Sequence, residues 1–175
     1  MREEFDYALA CDPKQSVIVS ACAGSGKTWL LVSRMIRLLL AGANPQEILA
    51  LTFTRKAAQE MRDRLYGFLE DFSTADDATL TRELKDRGLT TEEAIRSIPQ
   101  ARALYLKVLS SPQAIVIDTF HGWFGRLLGA APASAEIQPG FSLREDAKRL
   151  QEECMADWWG DLPADLQKHY DVLLE

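Results

Sequence analysis

The chain has 175 residues, of which 47% are hydrophobic, and a formal net charge of −6. This length suffices for the core of one ordinary domain, with room for a small annex. The acidic balance argues against a protein that coats nucleic acid by bulk charge. A local basic face is still compatible with the sequence, because the charges are unevenly distributed. Residues 1–70 hold nine Lys/Arg and eight Asp/Glu, whereas residues 71–175 hold eleven Lys/Arg and eighteen Asp/Glu.

Three cysteines occur, Cys11, Cys22 and Cys154, and their spacing fits no zinc site. An odd number of cysteines in a chain of this size argues against a disulfide framework and favours a reducing compartment. No apolar run approaches the roughly 18 residues that cross a bilayer, and the residues after Met1 lack the apolar core of an export signal. We therefore expect a cytoplasmic protein without membrane association.

The N-terminal part of the sequence has the order strand, glycine turn, helix. Residues 1–10 predict a short helix on the sheet edge, which ends at Asp12-Pro13. The apolar run at residues 16–20 predicts a strand. After a glycine-rich turn, residues 29–40 have apolar side chains at helical spacing and predict a helix that ends at Ala41-Gly42. This order is the context in which a phosphate-binding loop occurs.

The glycine-rich loop, residues 21–28, reads Ala21-Cys22-Ala23-Gly24-Ser25-Gly26-Lys27-Thr28. A loop that runs into a helix N-terminus offers a phosphate several backbone N–H groups and the positive end of the helix dipole. Gly24 and Gly26 allow the chain to curl tightly. Lys27 can reach the β- and γ-phosphate oxygens, and the Thr28 hydroxyl can ligand Mg²⁺. Ala21 stands where the pattern G-x-x-x-x-G-K-[ST] has its first glycine, and an ordinary glycine-rich turn is the alternative.

Two further apolar runs predict buried parallel strands. Residues 44–47 predict a turn or a single capped helical turn, and residues 48–53 then form a continuous apolar strand that would complete a βαβ unit with residues 16–20. Residues 114–117 predict a third strand. Asp118-Thr119-Phe120-His121-Gly122 follow at its carboxyl end, where open α/β sheets place ligands, and lead into a short helix.

The remaining pattern is helical. Thr54 can cap a helix with an apolar stripe at spacings of three and four, and a second capped helix begins at Thr90, where Pro99 is expected to interrupt it. The stripe consists of Ala57, Ala58, Met61, Leu65, Phe68 and Leu69. We expect a loop over residues 129–140, a helix that begins within 142–145, and a last helix over 161–175. The predicted fold is α/β, a parallel sheet flanked by helices with a helical annex.

Residues 48–61 read Ile-Leu-Ala-Leu-Thr-Phe-Thr-Arg-Lys-Ala-Ala-Gln-Glu-Met. This block is similar to motif Ia of superfamily 1 helicases, and Thr119-Phe120-His121-Gly122 is similar to motif Ib. The glycine-rich loop is similar to motif I, in which alanine is common at the first glycine position. Together, over residues 16–128, the three blocks resemble the UvrD/Rep helicases, with the RecB/AddA branch close by.

The resemblance implies a P-loop NTPase fold of the RecA-like type, incomplete in this sequence. Residues 1–130 would be the first part of the N-terminal RecA-like ATP-binding domain, with a helical insertion at 71–112, and residues 131–175 would begin a helical subdomain. The implied cofactors are ATP and Mg²⁺. The implied partners are single-stranded DNA, a C-terminal RecA-like domain of the same chain that is missing here, and a nuclease partner subunit.

By position, the resemblance places seven residues of motifs Ia and Ib near single-stranded DNA. They are Thr52, Phe53, Thr54, Arg55, Thr119, Phe120 and His121. Hydroxyl groups and an arginine can bind phosphates, and an aromatic ring can stack on a base. Burial in the sheet core is an equal alternative for Phe53 and Phe120, because apolar residues surround both.

Some family features have no match. The family's adenine-reading glutamine lies further upstream than Gln15, which is six residues before Ala21, so adenine recognition is unassigned. Asp118 is followed by Thr119 instead of Glu, so we expect a capping or sheet-edge acceptor there instead of a Mg²⁺ ligand. No Asp-Glu-x-x block occurs, and the blocks with the γ-phosphate arginine are also missing. Because phosphoryl transfer needs these groups, we expect the chain alone not to hydrolyse ATP.

The leading hypothesis is therefore the N-terminal ATP-binding portion of an ATP-dependent 3′→5′ DNA helicase or translocase in DNA repair or recombination. A P-loop phosphotransferase, with residues 71–110 and 130–175 closing on a small acceptor, is one alternative. A non-catalytic nucleotide-binding module is another. Cys22 lies inside the glycine-rich loop, so its alkylation is expected to hinder nucleotide binding.

Overall fold

Two short strands pair in parallel in the computed structural model. They are β1, Leu49–Thr52, and β2, Val116–Thr119. The register sets Leu49 opposite Val116 and Thr52 opposite Thr119. Both strands were predicted, although β2 begins two residues later than the apolar run at 114–117 and extends to Thr119. Because the strands end at the same edge, the residues that follow them come together.

Helices make up most of the remaining structure. They are α1 (Tyr7–Cys11), α2 (Lys27–Leu40), a 3₁₀ turn (Pro45–Glu47), α3 (Arg55–Thr74), α4 (Asp77–Asp86), α5 (Thr91–Leu109) and α6 (Phe120–Gly129). The described part of the chain is thus a helix-dominated α/β structure with a small parallel sheet.

The structure describes residues 6–20, 22, 24–130, 148, 152–155 and 158. The chain divides into two compact units, Met1–Phe124 and Gly125–Glu175. In the second unit, residues 148, 152–155 and 158 are helical. The loop expected over residues 129–140 begins later, since α6 extends to Gly129. Residues 131–140, the helix start at 142–145 and the helix over 161–175 lie outside the described residues. No helix among the described residues is long and apolar enough to cross a membrane.

The main core lies where α3 packs against α5, α2 and both strands, with α4 against α5. Its side chains come from the apolar stripes at helical spacing. Members with full or nearly full burial include Val32, Ile36, Leu39, Met61, Leu65, Leu69, Phe72, Leu80, Leu84, Leu104, Val108 and Ile117. The helices at residues 71–110 therefore share one core with the helix that follows the glycine-rich loop.

A second, smaller cluster joins α1 to α2. Ala10, Cys11 and Leu30 are buried in it, with Val19 and Trp29 packed alongside. The expectation that the first helix packs on the sheet edge is therefore replaced by packing on α2. The break at Asp12-Pro13 is confirmed, since α1 ends at Cys11.

The predicted helix caps are present. The Thr54 hydroxyl accepts a hydrogen bond from the Ala57 N–H at 3.1 Å. Thr90 and Glu93 form a reciprocal capping box at the start of α5, in which the Thr90 N–H donates to the Glu93 carboxylate at 2.9 Å. This bond, followed by the bond from the Thr90 hydroxyl, holds the pKa of Glu93 below its ordinary value.

The strand predicted at residues 16–20 does not form. These residues follow α1 without regular secondary structure, and Ile18 is fully exposed. An apolar run makes a strand favourable, but a strand also needs a neighbour that pairs with its backbone. Within the described residues, β1 and β2 pair only with each other. The predicted βαβ unit is therefore replaced by a connection from β1 to β2 through α3, α4 and α5.

Pro99 does not interrupt the helix expected around it, because α5 is continuous over 19 residues. Proline has no backbone N–H, so Pro99 cannot donate a hydrogen bond to the carbonyl four residues earlier, that of Ile95. Ile95 is 56% exposed, and Pro99 is also exposed. Water can therefore solvate the freed carbonyl group, which lets the helix continue.

Gly88, in the turn between α4 and α5, is a position where an added methyl group should destabilise the fold. Its φ is +83°, and a Cβ would lie 3.0 Å from the Ala8 backbone nitrogen and closer still to the Ala8 Cα. We expect Gly88→Ala to lower the free energy of unfolding by about 2 kcal/mol or more, through backbone strain and overlap with α1.

Gly67→Ala is the matched control. Gly67 lies inside α3, and a Cβ there meets nothing within 4 Å. Alanine should stabilise this position by about 0.5–1 kcal/mol, because it loses less conformational entropy in a helix than glycine does. Urea unfolding measures both variants. Equal stability of Gly88→Ala and the unmodified chain would contradict the steric argument.

Candidate nucleotide- and DNA-binding site

The glycine-rich loop has the backbone turns that its glycines predict. Gly24 has φ +78° and Gly26 has φ +83°, both in the left-handed region that favours glycine. A Cβ at either position would meet nothing within 4 Å, so it is backbone conformation, not crowding, that calls for glycine. Gly26 caps α2, and its carbonyl accepts the first helical hydrogen bond, from the Leu30 N–H at 3.0 Å.

The Cys22 carbonyl oxygen is the internal acceptor of this loop. It accepts from the Ser25 hydroxyl at 2.7 Å and also from the Lys27 ammonium group. Lys27 is the first residue of α2 and is exposed, while Thr28, beside it in the first turn, is half-buried. The lysine therefore folds back over the loop at a helix N-terminus, which is where a phosphate would be bound. Ala21 and Ala23 lie outside the described residues.

Arg34 fixes the segment that leads into the loop. From the middle of α2 its guanidinium donates to the carbonyl oxygens of Ala10, at 3.0 Å, and Asp12, at 2.9 Å, and also to that of Gln15. The segment between α1 and the loop is thus bound to α2 without belonging to a sheet. Sequence reasoning missed Arg34, because no local pattern links an arginine in a helix to carbonyl groups some twenty residues earlier.

Beside the loop is an open cleft of about 730 Å³. Gly26 forms part of its wall, together with the rings of Tyr7 and Trp29, which meet edge to face with centroids 5.7 Å apart. The α4–α5 turn, residues 87–90, supplies Gly88, Leu89 and Thr90 to the wall as well. Three segments far apart in sequence form this cleft, so no local sequence pattern could have predicted it.

The ends of β1 and β2 bring the motif Ia and Ib residues together. Phe53 follows β1 and Phe120 follows β2, and their ring centroids are 5.4 Å apart. Phe53 is 86% exposed and Phe120 is 37% exposed. Burial in the sheet core, the equal alternative for these rings, is therefore wrong for Phe53. We call residues 52–55 and 119–121 the strand-end edge.

Other residues of the strand-end edge have different surroundings. Arg55 and His121 are exposed, and Thr52 is half-buried. The Thr54 hydroxyl caps α3, although the residue itself is exposed. Thr119 is buried, and its hydroxyl accepts from the Gly122 N–H at 3.0 Å, so this side chain stabilises the first turn of α6.

Asp118 acts as a local acceptor. Its carboxylate accepts from the Thr119 N–H at 2.6 Å, and it lies so close to Gly122 that a Cβ there would overlap it. The described residues contain no group of three or more His, Cys, Asp or Glu side chains that could hold a metal ion. The Thr28 hydroxyl remains the predicted Mg²⁺ ligand.

Arg62 connects α3 to strand β2, two residues before the strand-end edge begins at Thr119. From α3 it donates to the Ile117 carbonyl of β2 at 2.8 Å. Arg64, on the same helix, forms an exposed ion pair with Glu60 at 2.7 Å, and such pairs add little stability. From the sequence both arginines belong to the polar face of α3, and only the packing of α3 against β2 distinguishes their roles.

Comparison with known proteins decides the family. The family model for the UvrD/REP helicase N-terminal domain matches residues 1–171. The chain belongs to this family. The resemblance of the three sequence motifs to the UvrD/Rep helicases is thereby confirmed.

Several curated relatives are named as one subunit of an ATP-dependent helicase/nuclease. The protein of Oceanobacillus iheyensis is 31% identical over 181 residues, covering 98% of this chain and 12% of the relative. That of Lactobacillus helveticus is 30% identical over 157 residues, covering 86% of this chain and 11% of the relative. The protein of Latilactobacillus sakei is 49% identical over a shorter stretch of 57 residues. The chain thus spans about 12% of the length of the relative from Oceanobacillus iheyensis.

Cys22 offers a chemical test of the glycine-rich loop. It is exposed, whereas Cys11 is buried, and burial raises the pKa of the Cys11 thiol and keeps it protonated at neutral pH. In a Cys154→Ser background, iodoacetamide should therefore modify Cys22. We expect complete modification to weaken binding of Mg²⁺-ATP about tenfold or more, equivalent to about 1.4 kcal/mol, because the adduct crowds the phosphate position.

The control is the Cys22→Ser, Cys154→Ser chain treated in the same way, which should bind ATP with unchanged affinity. Mass spectrometry measures the extent of modification and calorimetry measures the affinity. Full modification without loss of affinity would refute a phosphate position at Cys22.

Proposed function

We propose that this chain is the N-terminal ATP-binding part of an ATP-dependent DNA helicase or translocase that moves 3′→5′ in DNA repair or recombination. Membership of the UvrD/REP helicase N-terminal domain family supports this assignment. The relatives named as part of an ATP-dependent helicase/nuclease support it further. The activity belongs to the whole protein, because the chain spans only about 12% of the length of such a relative.

The domain assignment is part of the proposal. Residues 1–130 are the first part of a P-loop NTPase domain of the RecA-like type, and residues 71–112 are a helical insertion in it. Residues 131–175 begin a helical subdomain. The parallel pairing of β1 with β2 supports a RecA-like sheet, since this pairing places both strand ends at one edge.

The nucleotide would bind with its phosphates on the glycine-rich loop, residues 21–28. Two observations support phosphate binding at this loop. The left-handed turns at Gly24 and Gly26 curl the backbone around an open space, and Lys27 begins helix α2 there. The Thr28 hydroxyl would hold Mg²⁺, which supplies charge neutralisation when bound. The adjacent cleft, with the rings of Tyr7 and Trp29, is large enough for the nucleotide base.

The observation that carries the DNA assignment is the exposed pair of rings at the strand-end edge. Large apolar rings are normally buried, so the contact of Phe53, at 86% exposure, with Phe120 supports a binding surface at this edge. Arg55 and His121 are exposed on the same edge and can meet phosphates while the rings stack on bases. This combination suits single-stranded DNA, whose bases are free to stack.

Hydrolysis would require parts beyond these 175 residues. The sequence has no Asp followed directly by Glu to orient a water and hold Mg²⁺, so we expect the chain alone to bind ATP without turning it over. A C-terminal RecA-like domain of the same protein and a nuclease partner subunit complete the proposal. We also propose a cytoplasmic location, because the protein would encounter its DNA substrate there.

Replacing Lys27 tests the nucleotide assignment. We expect Lys27→Ala to weaken Mg²⁺-ATP binding by the chain about 10- to 100-fold, because charge-assisted hydrogen bonds to phosphate contribute about 1.5–3 kcal/mol. Titration calorimetry measures the affinity. In the whole protein, the same change should abolish the ATPase activity that single-stranded DNA stimulates.

Lys14→Ala is the control, since Lys14 is exposed and lies outside the loop. Its affinity for ATP should stay at the level of the unmodified chain. Full ATPase activity of the Lys27→Ala protein would overturn the helicase assignment. Turnover of ATP by the 175 residues alone, without DNA, would instead favour the phosphotransferase alternative.

Replacing Phe53 tests the DNA surface. We expect Phe53→Ala to weaken binding of a fluorescent oligothymidylate about 5- to 100-fold, since stacking of one base on an aromatic side chain is worth about 1–3 kcal/mol. Phe120→Ala should act in the same direction, and fluorescence anisotropy at low salt measures both. Phe124→Ala is the control, because Phe124 is also exposed but pairs with Trp123 instead of with the two rings. Equal losses in all three variants would contradict a specific role for the strand-end edge.

A further inference from the structure

Arg87 is the largest fully buried side chain among the described residues, and its position is unusual for a charged group. It ends α4 and begins the α4–α5 turn. Arginine is almost never fully buried unless it is paired, because removing its charge from water is costly. Its surroundings must therefore offset that cost.

Three aromatic rings and one carboxylate surround the Arg87 guanidinium. The central carbon lies 4.5 Å from the centroid of Phe68, 5.1 Å from that of Phe72 and 5.4 Å from that of Trp29. The Glu83 carboxylate, which is partly exposed, pairs with it at 2.7 Å. Nε and one terminal nitrogen have no hydrogen-bond acceptor among the described residues, so ring faces take the place of acceptors there.

Trp29 connects this cluster to the glycine-rich loop. It follows Lys27 and Thr28 directly and lies in the first turn of α2, whereas Phe68 and Phe72 belong to α3. The contact with Arg87 therefore links the start of α2 to the main core. Arg37, two turns further along α2, donates to the Arg87 carbonyl at 2.8 Å. The α4–α5 turn thus holds α2 at two points.

Stability alone does not account for an arginine at this place. A buried charge can often be replaced by an apolar side chain of similar volume with no loss of stability. A planar guanidinium with a fixed partner, in contrast, defines where its neighbours lie, whereas a flexible apolar chain does not. A defined position for Trp29, whose ring lies 5.4 Å from the Arg87 guanidinium carbon, is a role that an apolar side chain could not take over.

We propose that Arg87 is a positioning residue for the nucleotide site: through Trp29 it fixes the first turn of α2 and thereby the phosphate-binding Lys27 and Thr28. The helical segment at residues 77–109 would then set the geometry of the glycine-rich loop. This inference rests on the proposed function for its effect on ATP, but its effect on α2 is independent of any nucleotide.

The test compares Arg87→Met and Arg87→Lys with a matched control, Arg102→Met, in the 175-residue chain. Met fills the buried space without charge, and Lys keeps the charge without the planar group. Arg102 belongs to the same helical segment and binds the Ala75 carbonyl and the Asp77 carboxylate, at the other end of α4. Urea unfolding first measures the stability of each variant.

Hydrogen exchange of the Leu30 to Ser33 amides then reports the first turns of α2, with the amides of residues 37–40 as an internal reference. In Arg87→Met we expect exchange at residues 30–33 to be about tenfold faster, with the reference amides unchanged. The first turns of α2 can then open without breaking the contact between the Arg87 guanidinium and the Trp29 ring. ATP affinity should fall about tenfold, and Arg87→Lys should be intermediate in both measurements. Arg102→Met should leave both unchanged.

A Trp29→Leu background makes the test specific to the proposed contact. Once the ring is removed, Arg87→Met should add little further increase in exchange, since both changes break the same interaction. An equal effect of Arg87→Met with and without Trp29 would overturn the inference, as would exchange and affinity equal to those of the unmodified chain. If the unmodified chain bound no ATP, the proposed function would fail, and the exchange measurements would still decide the role of Arg87.

Discussion

In the part of the chain that the structure describes, hydrogen bonds from arginine side chains to backbone carbonyl groups fix two irregular segments and strand β2 to the helices. Arg34 binds the segment before the glycine-rich loop, Arg37 binds the α4–α5 turn, and Arg62 binds the Ile117 carbonyl inside β2. A guanidinium suits this role because it has five donors in a rigid plane and keeps its charge at any physiological pH. Loop carbonyls outside helices and sheets need such partners when they are screened from water. These bonds therefore allow a two-stranded sheet and short loops to hold two candidate binding surfaces in place.

The two surfaces depend on different parts of the fold. The glycine-rich loop depends on α2, whose first turns are bounded by α1 on one side and by the α4–α5 turn on the other. The strand-end edge depends on the parallel register of β1 with β2, which sets Thr52 opposite Thr119 and so brings Phe53 to Phe120. Helix α3 connects the two regions, since it packs on the strands and carries Phe68 and Phe72, two of the three rings around Arg87.

Features governed by neighbours in sequence were predictable. The caps at Thr54 and Thr90, the left-handed glycines of the loop and the apolar stripe of α3 all follow from residues within one or two helical turns. Predictions failed where the tertiary surroundings of a segment determine its secondary structure. Residues 16–20 have the composition of a strand, but no described strand pairs with them. Pro99 has the chemistry of a helix break, but the exposure of Ile95 lets water replace the lost hydrogen bond.

The sequence by itself determined the family and the identity of the candidate residues, because the glycine-rich loop and the two strand-end blocks are local patterns with fixed spacing. Only the tertiary structure decided that Phe53 is exposed while Thr119 is buried, since exposure depends on which elements pack above a residue. It also decided that Arg87, an ordinary charged residue in the sequence, lies among three rings from two other helices. Long-range packing brings such groups together, and no local pattern encodes it.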